Sequence, residues 1–211
     1  MKSEFTYFTK ESVLAFLGNY GKERTKDYEF AAALIIHRFC EKQWGNDCWI
    51  GFRIRPDYSS SLSAYKSEHP ISLAEIAELF NKGLDEDSPV DFVVAKRANM
   101  QKAQGMVFQV KRFGIGRKKR DTDELISYLN SFPKRYSKTN ANLLIVLDDG
   151  VSVGVPKLQS ELDMKNFPFN RIIFSWINEG LVYIQDIYPS GNRESFPVTD
   201  LYSSNTEYNL V

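Results

Sequence analysis

The stretch that decides the fold is Met-Val-Phe-Gln-Val-Lys-Arg at residues 106–112, which follows Pro-Val-Asp-Phe-Val-Val-Ala-Lys at residues 89–96. Both stretches have the length and the β-branched and aromatic content of strands, and the polar connection between them predicts a hairpin. Side chains alternate along a strand, so Val107, Gln109 and Lys111 share one face. Because burying an unpaired lysine is costly, a polar pair at this place in a strand requires a reason.

The segments before this hairpin are predicted from their hydrophobic period and their capping residues. They are, in order, a helix at 9–20, a helix at 26–42, a strand at 48–55, a serine-rich loop at 56–66 and a short inserted helix at 72–81.

After the hairpin, Asp121 with Glu124 forms a capping pattern that opens a helix, and Pro133 ends it. The stretch 142–147 is almost entirely apolar, which is typical of a central strand covered on both faces. A second hairpin is predicted for 172–187 around Asn-Glu-Gly, and the polar tail from residue 189 is predicted to be irregular.

Length and element order together predict one elaborated α/β domain spanning residues 1–211. Its core covers about 26–148. An N-terminal helix at 1–25 and a C-terminal hairpin and tail at 149–211 are additions to that core.

Composition excludes several classes of protein. The chain has 27 basic and 27 acidic residues, so it is not a polycation that coats nucleic acid indiscriminately. Cys40 and Cys48 are too few and wrongly spaced for a disulfide framework or a structural zinc site. The sequence has neither a signal-peptide pattern at its start nor an apolar run long enough to span a membrane, so a cytoplasmic location is expected.

The polar pair on the second strand of the hairpin indicates chemistry. Asp91 on the partner strand can approach the face of Gln109 and Lys111, which brings a carboxylate, an amide oxygen and an ammonium together. Hard cations such as Mg²⁺ take oxygen ligands. Lys111 can orient or help to deprotonate an attacking water, and Glu29 on the second helix can complete the set of ligands.

Pro89-Val90-Asp91 followed by Gln109-Val110-Lys111 resembles the signature of PD-(D/E)XK nucleases, in the Q-x-K variant of Mrr-type restriction endonucleases. The resemblance implies a restriction-endonuclease-like αβββαβ core with a mixed central sheet. It also implies Mg²⁺- or Mn²⁺-dependent hydrolysis of phosphodiester bonds in DNA, in restriction, defence or repair. Asp91, Gln109 and Glu29 would lie at the metal, and Lys111 would be catalytic.

Several alternatives stay open. Gln109 in place of the usual acid is also expected in a non-catalytic nucleic-acid-binding or assembly module with a decayed site, and an RNA-processing nuclease is a further alternative. A homodimer through the second hairpin is another expectation, and His37 is predicted to be a packed or a surface residue outside the site. A basic run beyond the second strand is predicted to contact nucleic acid, and it consists of Arg112, Arg117, Lys118, Lys119 and Arg120.

Overall fold

The structure is a computed structural model that describes residues 5–8, 10, 13, 24–45, 48–53, 90–99, 102–114, 121–189 and 191–202. Within these residues eight strands form one sheet, in which each strand pairs with the next in sequence order. The strands are β1 (Phe5–Phe8), β2 (Trp49–Arg53), β3 (Phe92–Asn99), β4 (Lys102–Phe113), β5 (Asn142–Leu147), β6 (Ile172–Asn178), β7 (Leu181–Tyr188) and β8 (Arg193–Pro197).

Three α-helices whose bounds are described and two short 3₁₀ turns accompany the sheet, in addition to the helical residues Lys10 and Val13. They are α1 (Arg24–Trp44), α2 (Thr122–Asn130) and α3 (Val155–Glu161), with the 3₁₀ turns at Phe132–Lys134 and Val198–Leu201. Strands β4, β5 and β6 run parallel to one another, and all other neighbouring strands are antiparallel. Parallel neighbours need crossover connections, which α2 and α3 supply.

The two faces of the sheet bury separate cores. The first face carries α1, and Phe108 and Val110 of β4 pack there with the helix. The second face carries α2 and α3, and Phe113 of β4 packs there beside Leu125 and Leu158. The polar residues Gln109 and Lys111 therefore belong to the second face, as strand alternation predicts.

The central predictions of secondary structure are confirmed. The α/β class with a mixed sheet, the helix at 26–42, both hairpins and the strand at 142–147 are all present. The Asp121 side chain accepts a hydrogen bond from Glu124 N at 3.0 Å, so the predicted cap forms. Ala32 and Ala33 are buried on the side of α1 that packs on the first face of the sheet, whereas Ala31 is exposed.

Two predictions are wrong, and one helix is absent from them. Residues 5–8 form strand β1 rather than part of an N-terminal helix, and of the helix predicted at 9–20 only Lys10 and Val13 are described, both helical. The tail is not irregular, because it contains β8 and a 3₁₀ turn. This strand buries Phe196 and has mostly exposed neighbours, which is a weak signal in sequence. The helix α3 was not predicted.

The predicted loop at 56–66 and the inserted helix at 72–81 lie outside the described residues. The second hairpin, β6–β7, is not at the edge of the sheet, because β8 pairs with β7. A dimer contact through the edge of that hairpin would therefore have to use β8. Among the described helices, none has the length and apolar character needed to cross a membrane.

Candidate active site

Asp91 and Gln109 are in direct contact at the start of β3. The Asp91 N–H donates to Phe108 O at 2.8 Å, and the paired register of β3 and β4 ends at Phe92 opposite Phe108. Beyond that point β4 is no longer paired with the backbone of β3. The Asp91 side chain bonds it instead, since its Oδ2 accepts hydrogen bonds from Val110 N at 2.7 Å and from Gln109 Nε2. The hairpin thus holds the carboxylate in a fixed orientation where the two strands part.

The amide of Gln109 is oriented by that contact. Its Nε2 faces Asp91 and also lies 3.4 Å from Val110 O, so Oε1 is the end of the amide directed away from the carboxylate. The reverse orientation would place two acceptors against each other. Gln109 is only 6% exposed, and its Oε1 accepts no hydrogen bond from a described residue. This oxygen is a neutral ligand of the kind that a hard cation accepts.

Lys111 lies on the same face as Gln109, two residues further along β4. Its side chain is half-buried, and its Nζ is 5.8 Å from the centroid of the Tyr136 ring, a cation–π contact. Among the described residues, Lys111 has no ion pair or hydrogen bond. The structure therefore brings Asp91 and Gln109 into contact and places Lys111 beside them without a direct bond.

Glu29 approaches from the other face of the sheet, because α1 packs on the first face. It is 8% exposed. The pKa of the neighbouring Tyr28 is raised to about 12. Burial is the largest cause, followed by the carboxylates of Glu29 and then Asp91, whereas the positive charge of Arg112 lowers the pKa. One phenol hydroxyl is thus in the electrostatic range of both carboxylates.

Asp91, Glu29 and Gln109 are residue types that a divalent cation accepts as ligands, and Asp91 and Gln109 are in direct contact. Two carboxylates and one amide oxygen are the hard ligands that Mg²⁺ and Mn²⁺ prefer. Among the described residues no group of three or more His, Cys, Asp or Glu side chains is placed to hold a metal. A cation here would thus rely on the Gln109 oxygen and on water, with one negative charge fewer than a site of three acids.

Arg112 extends from β4 on the first face and is ion-paired with Asp148, which directly follows β5. Its side chain remains 44% exposed. Gly114, which follows β4, packs directly against Asp148: its φ is +134°, and a Cβ there would lie 2.7 Å from the Cβ of Asp148. The other predicted nucleic-acid contacts, Arg117 to Arg120, lie outside the described residues.

A groove of about 560 Å³ opens between α1 and the carboxyl ends of β4, β5 and β6. Ligands of α/β proteins bind at the carboxyl ends of parallel strands. The residues that give the groove its chemistry are Tyr28, Arg112, Asp148, Asp149 and Ser175.

Sequence reasoning missed Tyr28 and Asp148. Tyr28 fitted the apolar period of its helix and was assigned to the core. Asp148 carried a usable signal, since an Asp-Asp-Gly turn directly follows a buried parallel strand. Of the two alternatives for His37, packed or surface, the structure shows the packed one: it is 2% exposed, and its Nε2 lies 2.9 Å from Cys48 O.

The structure thus brings Asp91 and Gln109 into contact at the start of β3, with Lys111 on the same face of β4 and Glu29 on the helix that packs on the opposite face. Comparisons of the chain with protein-family models, with curated proteins and with solved structures found no match.

Proposed function

We propose that the chain is a metal-dependent nuclease that hydrolyses phosphodiester bonds in DNA, with its site at Asp91, Gln109, Lys111 and Glu29. The observation that carries the proposal is the contact of Gln109 with Asp91 where β3 and β4 part. The element order supports it, because α1, β2, β3, β4, α2 and β5 follow one another as αβββαβ, with β5 parallel to β4. This is the order that the PD-(D/E)XK resemblance implies.

Asp91, Gln109 through Oε1, and Glu29 would hold the cation. When bound, Mg²⁺ or Mn²⁺ would polarise the phosphate and lower the pKa of a bound water. The protein's own contribution is positioning: Gln109 Nε2 and Val110 N fix the Asp91 carboxylate before any substrate arrives. A prearranged charge of this kind needs no reorganisation during the reaction.

Lys111 would hold its ammonium at the phosphate. The ring of Tyr136 lies below that ammonium and keeps it in place without neutralising it, as a carboxylate partner would. A cation held in this way can offset negative charge that develops on the phosphate oxygens, and it can orient the attacking water. The half-buried position excludes part of the solvent that would otherwise screen this charge.

A second candidate is a non-catalytic nucleic-acid-binding module. The contact between Gln109 and Asp91 is also compatible with this candidate, because Asp91 Oδ2 accepts two hydrogen bonds from neutral donors of the protein itself. A carboxylate satisfied in this way can be retained for structure after cleavage has been lost. The two candidates differ in whether a divalent cation is taken up and whether DNA is cut.

The discriminating experiment incubates the full chain with supercoiled plasmid, linear duplex, single-stranded DNA and RNA, in Mg²⁺, in Mn²⁺ or in EDTA. Asp91→Ala and Lys111→Ala are compared with Lys157→Ala, which alters an exposed lysine on α3 that pairs with Asp123. We expect metal-dependent cutting of DNA that both site variants lose and that the control retains. DNA binding without any cutting by the wild type would favour the second candidate, and preferential cutting of RNA would reassign the substrate.

A further inference from the structure

A second concavity lies on the second face of the sheet, in the half that does not contain Asp91. It has a volume of about 420 Å³ and opens at the carboxyl ends of β5 and β6. This volume is within the range of ordinary small-ligand sites. Its floor is formed by β6, β7 and β8, and the loop after β5 forms one wall. The lining residues with polar or aromatic chemistry are Asp149, Trp176, Asn178, Gln185 and Arg193.

Arg193 is held in this pocket by aromatic rings. Its guanidinium carbon lies 5.1 Å from the centroid of Trp176 and 4.9 Å from that of Tyr183. The two rings stack on each other across β6 and β7, with centroids 5.1 Å apart and planes inclined by 10°. The Arg193 side chain makes no hydrogen bond or ion pair with a described residue. Its N–H groups therefore remain available as donors, while the rings fix the orientation of the guanidinium.

Three other described arginines are tied into the fold by ion pairs. Arg38 is paired with Asp200, Arg112 with Asp148 and Arg171 with Asp186. These pairs tie one element of the fold to another. Arg193 instead keeps its positive charge in a concave site, where the amides of Gln185 and Asn178 likewise have no hydrogen bond with a described residue.

We propose that this pocket binds an unpaired nucleotide of the nucleic acid on which the site at Asp91 acts, an inference that rests on the proposed function. Arg193 takes the phosphate, since a guanidinium donates to two phosphate oxygens at once. The base enters the concavity beside Trp176, and the amides of Gln185 and Asn178 supply donors and acceptors for its edge. Asp149 at the mouth directs the phosphate to the Arg193 side.

The distance between the proposed cleavage site on β4 and Arg193 on β8 can be estimated from the order of the strands. From β4 to β8 there are four strand spacings, which amount to about 19 Å at roughly 4.8 Å each. At about 3.4 Å per nucleotide of a stacked strand, this span corresponds to about six nucleotides. A stacked strand of four nucleotides, roughly 14 Å long, is shorter than this span.

The test measures binding of fluorescein-labelled single-stranded DNA of 4 and of 16 nucleotides to the full chain in EDTA, by fluorescence anisotropy. Arg193→Ala and Trp176→Ala are compared with Tyr202→Ala, which removes a ring that is 63% exposed and outside the pocket. We expect both pocket variants to bind the 16-nucleotide strand at least fivefold more weakly, and to bind the 4-nucleotide strand more weakly as well, since that strand fits the pocket without reaching the site at Asp91. Thermal melts establish that each variant is folded. If Trp176→Ala does not fold, Arg193→Ala still tests the proposal, because Arg193 is exposed and its replacement leaves the core intact.

Unchanged binding of the longer strand by Arg193→Ala would overturn the proposal, and so would an equal loss on a blunt 16-base-pair duplex. This result is independent of cleavage. If the wild type does not cut DNA but its binding of the long strand depends on Arg193, the nuclease proposal fails and the pocket stands. If DNA is cut and Arg193 has no effect on binding, the pocket fails and the nuclease proposal stands.

Discussion

Two partly buried aspartates stand in the two halves of the same sheet, and their partners differ. Asp186 on β7 accepts a hydrogen bond from Arg171 Nη2 at 2.6 Å, so a cation faces the carboxylate. Burial raises the pKa of Asp186, and the arginine lowers it only in part. Asp91 Oδ2 instead accepts from the amide of Gln109 and from Val110 N.

The difference shows how a carboxylate in a fold is assigned a role. A guanidinium both hydrogen-bonds a carboxylate and cancels its charge, and the pair then joins two strands as part of the fold. Neutral donors orient a carboxylate and stabilise its ionised form but leave its charge in place. The guanidinium of Arg171 thus makes Asp186 part of the fold, whereas the two neutral donors at Oδ2 fix the direction of the Asp91 carboxylate.

The largest expected effect is a difference in cleavage rate between a variant of Asp91 and a variant of Asp186. Asp91→Asn removes the negative charge and keeps the shape, so we expect cleavage to fall at least about a hundredfold, which corresponds to about 2.7 kcal/mol. Asp186→Asn should leave the cleavage rate of the folded protein within about twofold. The measurement is the initial rate of plasmid cleavage in Mg²⁺, normalised to the folded fraction. Equal losses in the two variants would remove the distinction.

The next effect tests whether Asp186 belongs to the fold. A Cβ on Gly191 would lie 2.9 Å from both the Cβ and Oδ2 of Asp186, so Gly191→Ala must displace the ion pair. We expect it to lower the free energy of unfolding by about 1–3 kcal/mol in urea denaturation. Gly154→Ala is the matched control, because its nearest contact is Thr122 Oγ1 at 3.4 Å. A loss in Gly191→Ala no larger than in the control would contradict this role.

Much of the fold could be predicted because its strong elements have clear periods. Local sequence pattern and tertiary structure agree for three of these elements, namely the apolar run of β5, the alternation in β4 and the cap at Asp121. The elements that were missed lack such signals. Strand β8 buries only Phe196, and α3 is a short helix of seven residues that packs through Leu158.

The site could be predicted in part. Alternation on β4 and pairing with β3 are local rules, so the approach of Asp91 to Gln109 followed from sequence. The orientation of the Gln109 amide and the proximity of Tyr28 to both carboxylates depend on how α1 crosses the sheet, which no local pattern encodes. Arg193 was likewise invisible, because its two ring partners lie on other strands.

A smaller effect concerns Gln109. In Gln109→Glu the donor to Asp91 becomes a second carboxylate, so without metal two like charges meet and we expect stability to fall by about 1 kcal/mol. A divalent cation should then bind more tightly than in the wild type, since it gains a charged ligand. The measurement is the melting temperature in EDTA and in Mg²⁺, with a larger rise by Mg²⁺ in the variant. An equal response of both proteins to Mg²⁺ would argue against a cation site at Asp91.

The smallest effect uses Tyr28 as a sensor of the charge on Asp91. Because its pKa is raised from 10.0 to about 12, its contribution to stability is intact below pH 10 and is lost as the pH rises through about 12. Asp91→Asn removes one of the carboxylates that raise this pKa, so Tyr28 should ionise at lower pH, whereas Asp186→Asn should leave its titration unchanged. Ultraviolet titration of tyrosinate measures the shift, and Tyr28→Phe identifies the late-titrating signal. Burial is the larger cause, so the shift in Asp91→Asn should be only a part of the total. An unshifted Tyr28 in that variant would place Asp91 too far away to share a site with the residues of α1.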